Sequence, residues 1–91
     1  MRFQFDTDYT EEELQFLKQH HCEILSEIKL SKTNFSAYEL PRRMFQYYGT
    51  YVGEIIDEEN NELVWAVLSK WKGIYHWSAV YADLQSLEQG L

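Results

Sequence analysis

Residues 44–62 read M-F-Q-Y-Y-G-T-Y-V-G-E-I-I-D-E-E-N-N-E, and the fold turns on how this stretch is interpreted. Phe45, Tyr48, Val52, Ile55 and Ile56 recur at intervals of three and four, with Met44 and Tyr51 flanking, which is the spacing of a helical face. The spacing predicts a helix from about Pro41 to Glu58, with Pro41 in the first turn, where its missing N–H costs nothing. Gly49 and Gly53 each cost about 1 kcal/mol relative to Ala in a helix interior. A compensating close approach, by a first helix or by a strand, is therefore expected at this G-x-x-x-G. The stretch ends in Glu54, Asp57, Glu58, Glu59 and Glu62 with no basic residue between them.

Upstream, Arg2 to Asp6 alternates polar and apolar residues and predicts a short strand or extended arm. Thr10 and Glu13 then form a capping box, in which each side chain satisfies a backbone N–H at a helix start. The carboxylates that follow suit the positive end of the helix dipole. A first helix is predicted to continue to about Lys29, its stripe being Leu14, Leu17, His21 or Cys22, Ile24, Leu25 and Ile28. Ser31 to Ser36 reads as a polar loop.

Downstream, Asn60-Asn61 marks a turn. Leu63, Trp65 and Val67 alternate with Glu62, Val64 and Ala66 as a strand covered on both faces. Lys72-Gly73 signals a turn into a second strand at Ile74 to Trp77, so a hairpin is expected near 62–77. Tyr81 to Gln89 reads as a short helix, with Leu84 and Leu87 inward and Gly90 as its stop. The expected class is α+β over residues 1–91: two packed helices against a small antiparallel sheet, with a C-terminal helix, in a single domain.

Fifteen carboxylates face eight Lys and Arg, a formal net charge of −7. This argues against binding nucleic acid through its phosphates, and against anionic membranes. It favours a basic protein partner, drawn by a field that salt weakens. Two runs without a basic residue carry that field: Asp6, Asp8, Glu11, Glu12 and Glu13, and Asp57, Glu58, Glu59 and Glu62 with Glu54. The sequence begins M-R-F-Q-F-D-T-D, without the apolar core of a signal peptide, and has no apolar span of membrane length. The single cysteine, Cys22, leaves no internal disulfide. A cytoplasmic location is the expectation.

The reactive residue types assemble no reaction. His20, His21, Cys22 and Glu23 are adjacent on a predicted helix and diverge, so they do not converge on a metal. Asp6-Thr7-Asp8 lacks the Gly and distal Glu of a calcium loop. A Cys22–His76 pair would place the thiol among acids, a poor setting for a lowered pKa. No phosphate-binding, dinucleotide-binding or nucleophile-elbow motif occurs. Arg42 and Arg43 beside Tyr47-Tyr48 are expected to stay solvated or to pair with nearby acids. No enzyme activity, cofactor or metal is expected. The partner-binding residues assigned are Asp57, Glu58, Glu59, Glu62, Asp6, Asp8, Glu11 and Glu12, with Tyr47 and Tyr51 as anchors.

The segment Y-Y-G-T-Y-V-G-E-I-I (47–56), followed by E-L-V-W-A-V (62–67), resembles a pattern in small bacterial proteins. In these, a helix reading roughly G-x-Y-x-G-E-x-[IL] precedes an aromatic strand, a short hairpin and a helix. The matching positions are Gly49, Tyr51, Gly53, Glu54 and Trp65, and the resemblance spans about residues 44–87. The pattern recurs in domains of unknown function and in cytoplasmic immunity proteins of bacterial toxin systems, including contact-dependent inhibition. It implies a non-catalytic antitoxin that neutralises a toxin, such as a basic nuclease, by covering its active site. A phage-type inhibitor or DNA mimic is the alternative on the same charge. A homodimer through an exposed aromatic face also fits.

Overall fold

The computed structural model describes residues 2–29 and 40–91, with the backbone alone for Lys70. The predicted loop at 31–36 lies outside the described residues. The elements in chain order are β1 (Arg2–Gln4), α1 (Glu11–Gln19), β2 (Glu23–Leu25), β3 (Glu27–Lys29), β4 (Arg43–Tyr47), β5 (Thr50–Asp57), β6 (Glu62–Trp71), β7 (Ile74–Tyr81) and α2 (Leu84–Gly90). A five-stranded antiparallel sheet runs in the order β2-β4-β5-β6-β7, and β1 pairs with β3 in a separate two-stranded ribbon.

This corrects the expectation of two packed helices. The helix predicted over 41–58 is the β4–β5 hairpin. Tyr47 pairs with Thr50 across a two-residue turn in which Tyr48 (φ +46°) and Gly49 (φ +83°) are both left-handed. That is the backbone a right-twisted hairpin demands. The stretch is rich in aromatic and β-branched residues, which favour a pleated, half-buried surface. It read as helical because both sheet faces are covered here, which erases the alternation that marks a strand.

The first helix stops ten residues short of Lys29. The His21 N–H donates to the Lys18 carbonyl (3.2 Å) and the Cys22 N–H to the Leu17 carbonyl (2.8 Å). His21 is left-handed (φ +55°), so the pair is a Schellman stop with histidine where glycine is usual. Beyond it, Ile24 and Leu25 pair with Phe45 and Met44, and Ile28 pairs with Phe3. The capping box at Thr10 and Glu13 is present. The hairpin expected near 62–77 is present and longer, turning at Lys72 and Gly73 with both residues left-handed.

Side chains alternate between two cores. Phe45, Val52, Trp65 and Val67 face α1 and α2, which add Leu17 and Leu87. Met44 and Leu68 face the other way and meet Phe5, with Phe3, Ile28, Tyr51 and Trp77 packed around them. The β1–β3 ribbon thus covers part of one face, and the two helices cover part of the other.

A β-bulge at Ser78 shifts the β6–β7 register, so that Val67 pairs with Ala79 but Leu68 with Trp77. Trp77 thereby lies against Gly53. A Cβ on Gly53 would sit 2.6 Å from the Trp77 ring and 2.9 Å from Pro41. The close approach expected at Gly53 is real, but an indole makes it. Gly49 has open space and needs only its positive φ.

Gly53→Ala is therefore expected to destabilise by overpacking, on the order of 1–3 kcal/mol in urea unfolding. Gly49→Ala should lose only the cost of a left-handed Cβ, about 1 kcal/mol. If Trp77→Leu fails to relieve the Gly53→Ala loss, the indole is not its cause.

Candidate functional site

Arg43 is the organising residue of the face beneath the helices, and only 6% of it is exposed. Its Nε and Nη2 donate to Glu54 on β5 at 2.9 and 2.7 Å. Its Nη1 and Nη2 donate to the two carboxylate oxygens of Glu13 on α1, both at 2.8 Å. Nη1 also donates to the Asp8 carbonyl at 2.9 Å. All five guanidinium N–H groups are used, and both carboxylates are held in bidentate geometry. The guanidinium carbon lies 4.6 Å from the Tyr9 ring centroid and 5.1 Å from that of Trp65.

The charges follow from this packing. Hydrogen bonds to Glu54, and then to Glu13, hold Arg43 protonated above its ordinary range against the opposing effect of burial. Burial pushes the Glu13 carboxyl up, but the bonds from Arg43 and from Thr10 outweigh it and hold the carboxyl below its usual value. Burial pushes the Tyr9 hydroxyl up to about 12 and the Cys22 thiol up to about 11. Cys22 lies between α1 and β2 rather than within a helix, and its thiol stays protonated at neutral pH.

Beside this network a cleft of about 580 Å³ opens between the two helices. Trp65, Leu63, Phe16 and Leu84 supply its apolar surface, and Glu12, Glu13, Glu54, Asp83 and Glu88 its carboxylates. Glu13 and Glu54 are neutralised in part by Arg43. Glu12 is exposed on α1 and Glu88 on α2. Asp83 is the N-cap of α2, accepting from the Ser86 N–H at 2.8 Å, which holds its carboxyl below the usual range. Glu88 lies 3.5 Å from His20 Nε2. Leu63 (42% exposed) and its cross-strand partner Ile56 (47%) extend the apolar surface toward the β5–β6 turn.

The residues assigned from sequence do not converge on one surface. Glu12 lines the cleft, and Glu11 is exposed beside it in the first turn of α1. Glu58 and Glu59 are exposed in the β5–β6 turn, whereas Asp57 accepts from the Glu59 N–H and from Asn60 and so builds that turn. Glu62 pairs with Asp57 at the mouth of the hairpin, on the strand face opposite Leu63. Asp6 accepts from the Asp8 N–H and sits 3.7 Å from Arg42. Asp8 contributes its carbonyl to Arg43. Tyr47 is stacked under Phe16 and lies 3.4 Å from His20, while Tyr51 packs in the core on the opposite face. Both tyrosines are half-buried, and they stand on opposite faces of the sheet.

Sequence reasoning missed Asp83 and Glu88, which follow an apolar run and carry no motif beyond a helix cap. It left Arg43 with two outcomes, and the buried pairing is the one observed. Among the described residues, no group of three or more His, Cys, Asp or Glu side chains is placed to hold a metal ion. Among them, too, no helix is long and apolar enough to cross a membrane. Compared with known proteins, the chain matches no family model, no curated protein and no solved structure.

Arg43→Met should destabilise by roughly 3–5 kcal/mol, because it strands Glu54 and Glu13 against the apolar floor. Arg43→Met with Glu54→Leu should recover most of that loss in the same denaturation assay. A double variant as unstable as the single one would show that Glu54 is not the stranded charge.

Glu13 also sets an acid dependence. Its folded pKa lies below the reference 4.5, so its stabilisation is complete above that value and is lost as pH falls through the folded value. Melting temperatures of Glu13→Gln should therefore fall less steeply below about pH 5 than those of the unmodified protein. Equal slopes would remove Glu13 from the acid response.

Proposed function

We propose that the chain is a non-catalytic binding protein that captures a basic protein on the helix-flanked face of its sheet, as an immunity protein captures its toxin. The observation that carries this reading is the composition of the cleft. An exposed apolar surface of Leu63, continued by Ile56 and backed by the buried Trp65, is flanked by carboxylates from separate elements. These are Glu12 on α1 and Asp83 and Glu88 at α2, while Glu58 and Glu59 stand exposed on the β5–β6 turn outside the cleft lining. Arg43, which lies against Trp65, has no donor left to offer a ligand, and Arg42 beside Leu63 and Ile56 is held 3.7 Å from both Glu54 and Asp6.

A Lys or Arg side chain suits such a surface. Its methylene stem covers apolar floor while its charged head reaches the carboxylate rim. The formal charge of −7 speeds encounter with a cationic partner, and the apolar floor slows its release. A toxin domain with a basic active-site surface, such as a nuclease, is the partner class this favours. The immunity-protein pattern that residues 47–56 and 62–67 resemble calls for a helix before the strand, and residues 47–56 form a hairpin instead, so the reading rests on the cleft.

The test is affinity capture from the native host at low and high salt, followed by growth assays with the captured protein. The expected result is one basic protein in near-equal amount, weakened by salt and at least tenfold by Glu12→Lys with Glu88→Lys, a loss of about 1.4 kcal/mol. The captured protein should be toxic when expressed alone and harmless beside this chain. Capture unaffected by the double substitution would remove the cleft as the interface. A captured protein released by added DNA would point instead to a nucleic-acid mimic.

A further inference from the structure

The carboxylates are absent from one long part of the chain: residues 63–82 contain no Asp or Glu, and they carry Lys70 and Lys72. This part forms β6 and β7, whose turn lies at the end of the sheet remote from the β5–β6 turn. β5 pairs with β6 only as far as Leu68, opposite Tyr51. Beyond that point, among the described residues, Ser69, Lys70 and Trp71 pair with His76, Tyr75 and Ile74 and no longer with β5, so the hairpin extends past the end of β5. Trp71 is 64% exposed at its tip, and the Lys72 ammonium sits 4.6 Å from the Trp71 ring centroid. Ile74 is exposed beside them. The tip is thus an apolar knob with a cationic head.

The cleft has the complementary form, an apolar floor with a carboxylate rim. The tip cannot enter the cleft of its own chain. Leu63 and Trp71 lie on one extended strand, and eight residues at about 3.3 Å each hold them some 26 Å apart.

We propose that the Trp71-Lys72 tip of one copy docks into the acidic cleft of a second copy, so that the chain self-associates head to tail. This rests on the reading of the cleft as a receptor for basic groups, and names an occupant for it when the toxin is absent. Trp71 covers the exposed Leu63 at the cleft floor, and the Lys72 ammonium meets Glu12 and Glu88. The contact joins two different patches, so each docked copy leaves one tip and one cleft free. Self-association is therefore open-ended, weakened by salt, and reversed by a basic partner that takes the cleft.

The test is sedimentation velocity on the full chain across a concentration series at low and high salt. A tip variant carries Trp71→Ala with Lys72→Glu, and a cleft variant carries Glu12→Lys with Glu88→Lys. The unmodified protein should gain mass with concentration at low salt and lose that gain at high salt. Each variant alone should remain a monomer. An equimolar mixture should form a species of twice the monomer mass and nothing larger, because the tip variant keeps its cleft and the cleft variant keeps its tip.

A mixture that stays monomeric would overturn the proposal, as would a variant that still associates alone. Hexalysine binding by the tip variant separates the two readings. If hexalysine binds the tip variant and not the cleft variant while the mixture stays monomeric, self-association fails and the cleft reading stands. If hexalysine binds neither, both fail.

Discussion

The bidentate pairing of Arg43 with Glu54 and Glu13 is the interaction on which the rest of the structure depends. Glu54 faces Arg43 directly across the β4–β5 ladder, so the hairpin register fixes that pair. Glu13 arrives from α1, where it is also the third helical residue, closing the capping box by accepting the Thr10 N–H at 2.8 Å. One carboxylate therefore fixes both the start of the helix and its seat on the sheet. Because the guanidinium also accepts packing from Tyr9 and Trp65, the docking of α1 is set by a planar ionic contact as much as by apolar burial. Burying three charges is costly, and it is tolerated only because every guanidinium donor has an acceptor.

That constraint also explains why the cleft is open. Leu17 and Leu87 are fully packed, so both helices are anchored on the same apolar core. Their facing edges carry Glu12 on one side and Asp83 and Glu88 on the other. Like charges oppose closure, and Arg43 is too deeply committed to bridge them. Trp65 is left beneath the gap, buried to 4% exposure by its own neighbours yet forming part of the cleft wall. On the proposed reading, a cationic group entering here meets Glu12 without displacing an internal partner and competes for Glu88 only with the His20 ring at 3.5 Å.

What was legible in the sequence followed local chemistry. The capping box, the Lys72-Gly73 turn and the strand at Glu62 each depend on a few neighbouring residues, whereas the final helix expected over Tyr81 to Gln89 starts at Leu84, leaves Tyr81 in β7 and takes in Gly90. The error at 41–58 came from a period that tertiary cover had blurred. Tyr48-Gly49 is a hairpin turn of the kind usually written Asn-Gly, and tyrosine in its first position hides it. The cost of two glycines in one helix was the available warning. His21 hides the end of α1 in the same way, by occupying a left-handed position without being glycine. The candidate site was half legible: Glu12 belongs to a visible acidic run, whereas Asp83 and Glu88 come into place only through α2. Tyr47 and Tyr51 lie on opposite faces because Tyr51 pairs with Gln46, the neighbour of Tyr47, across adjacent strands.

The acidic runs illustrate why charge density in sequence is a poor guide to a surface. Asp57 and Asp6 each spend a carboxylate oxygen on a nearby backbone N–H, at 3.1 and 2.9 Å, and so serve their own turns. Glu13 is consumed by Arg43. On the proposed reading, the residues left to a partner are Glu12, exposed on α1, and Glu88, whose one neighbouring charged group among the described residues is the His20 ring at 3.5 Å, with Glu58 and Glu59 on the β5–β6 turn. These number fewer than either run suggests, and they come from elements far apart in the chain. The field that steers a partner is set by all of them together, because it decays over about 8–10 Å at ordinary salt. The contact that holds the partner is set by the few beside exposed apolar surface, where a charge can be desolvated against a fixed floor. On the proposed reading, the distinction assigns Glu58 and Glu59 chiefly to encounter, and Glu12 and Glu88 to retention.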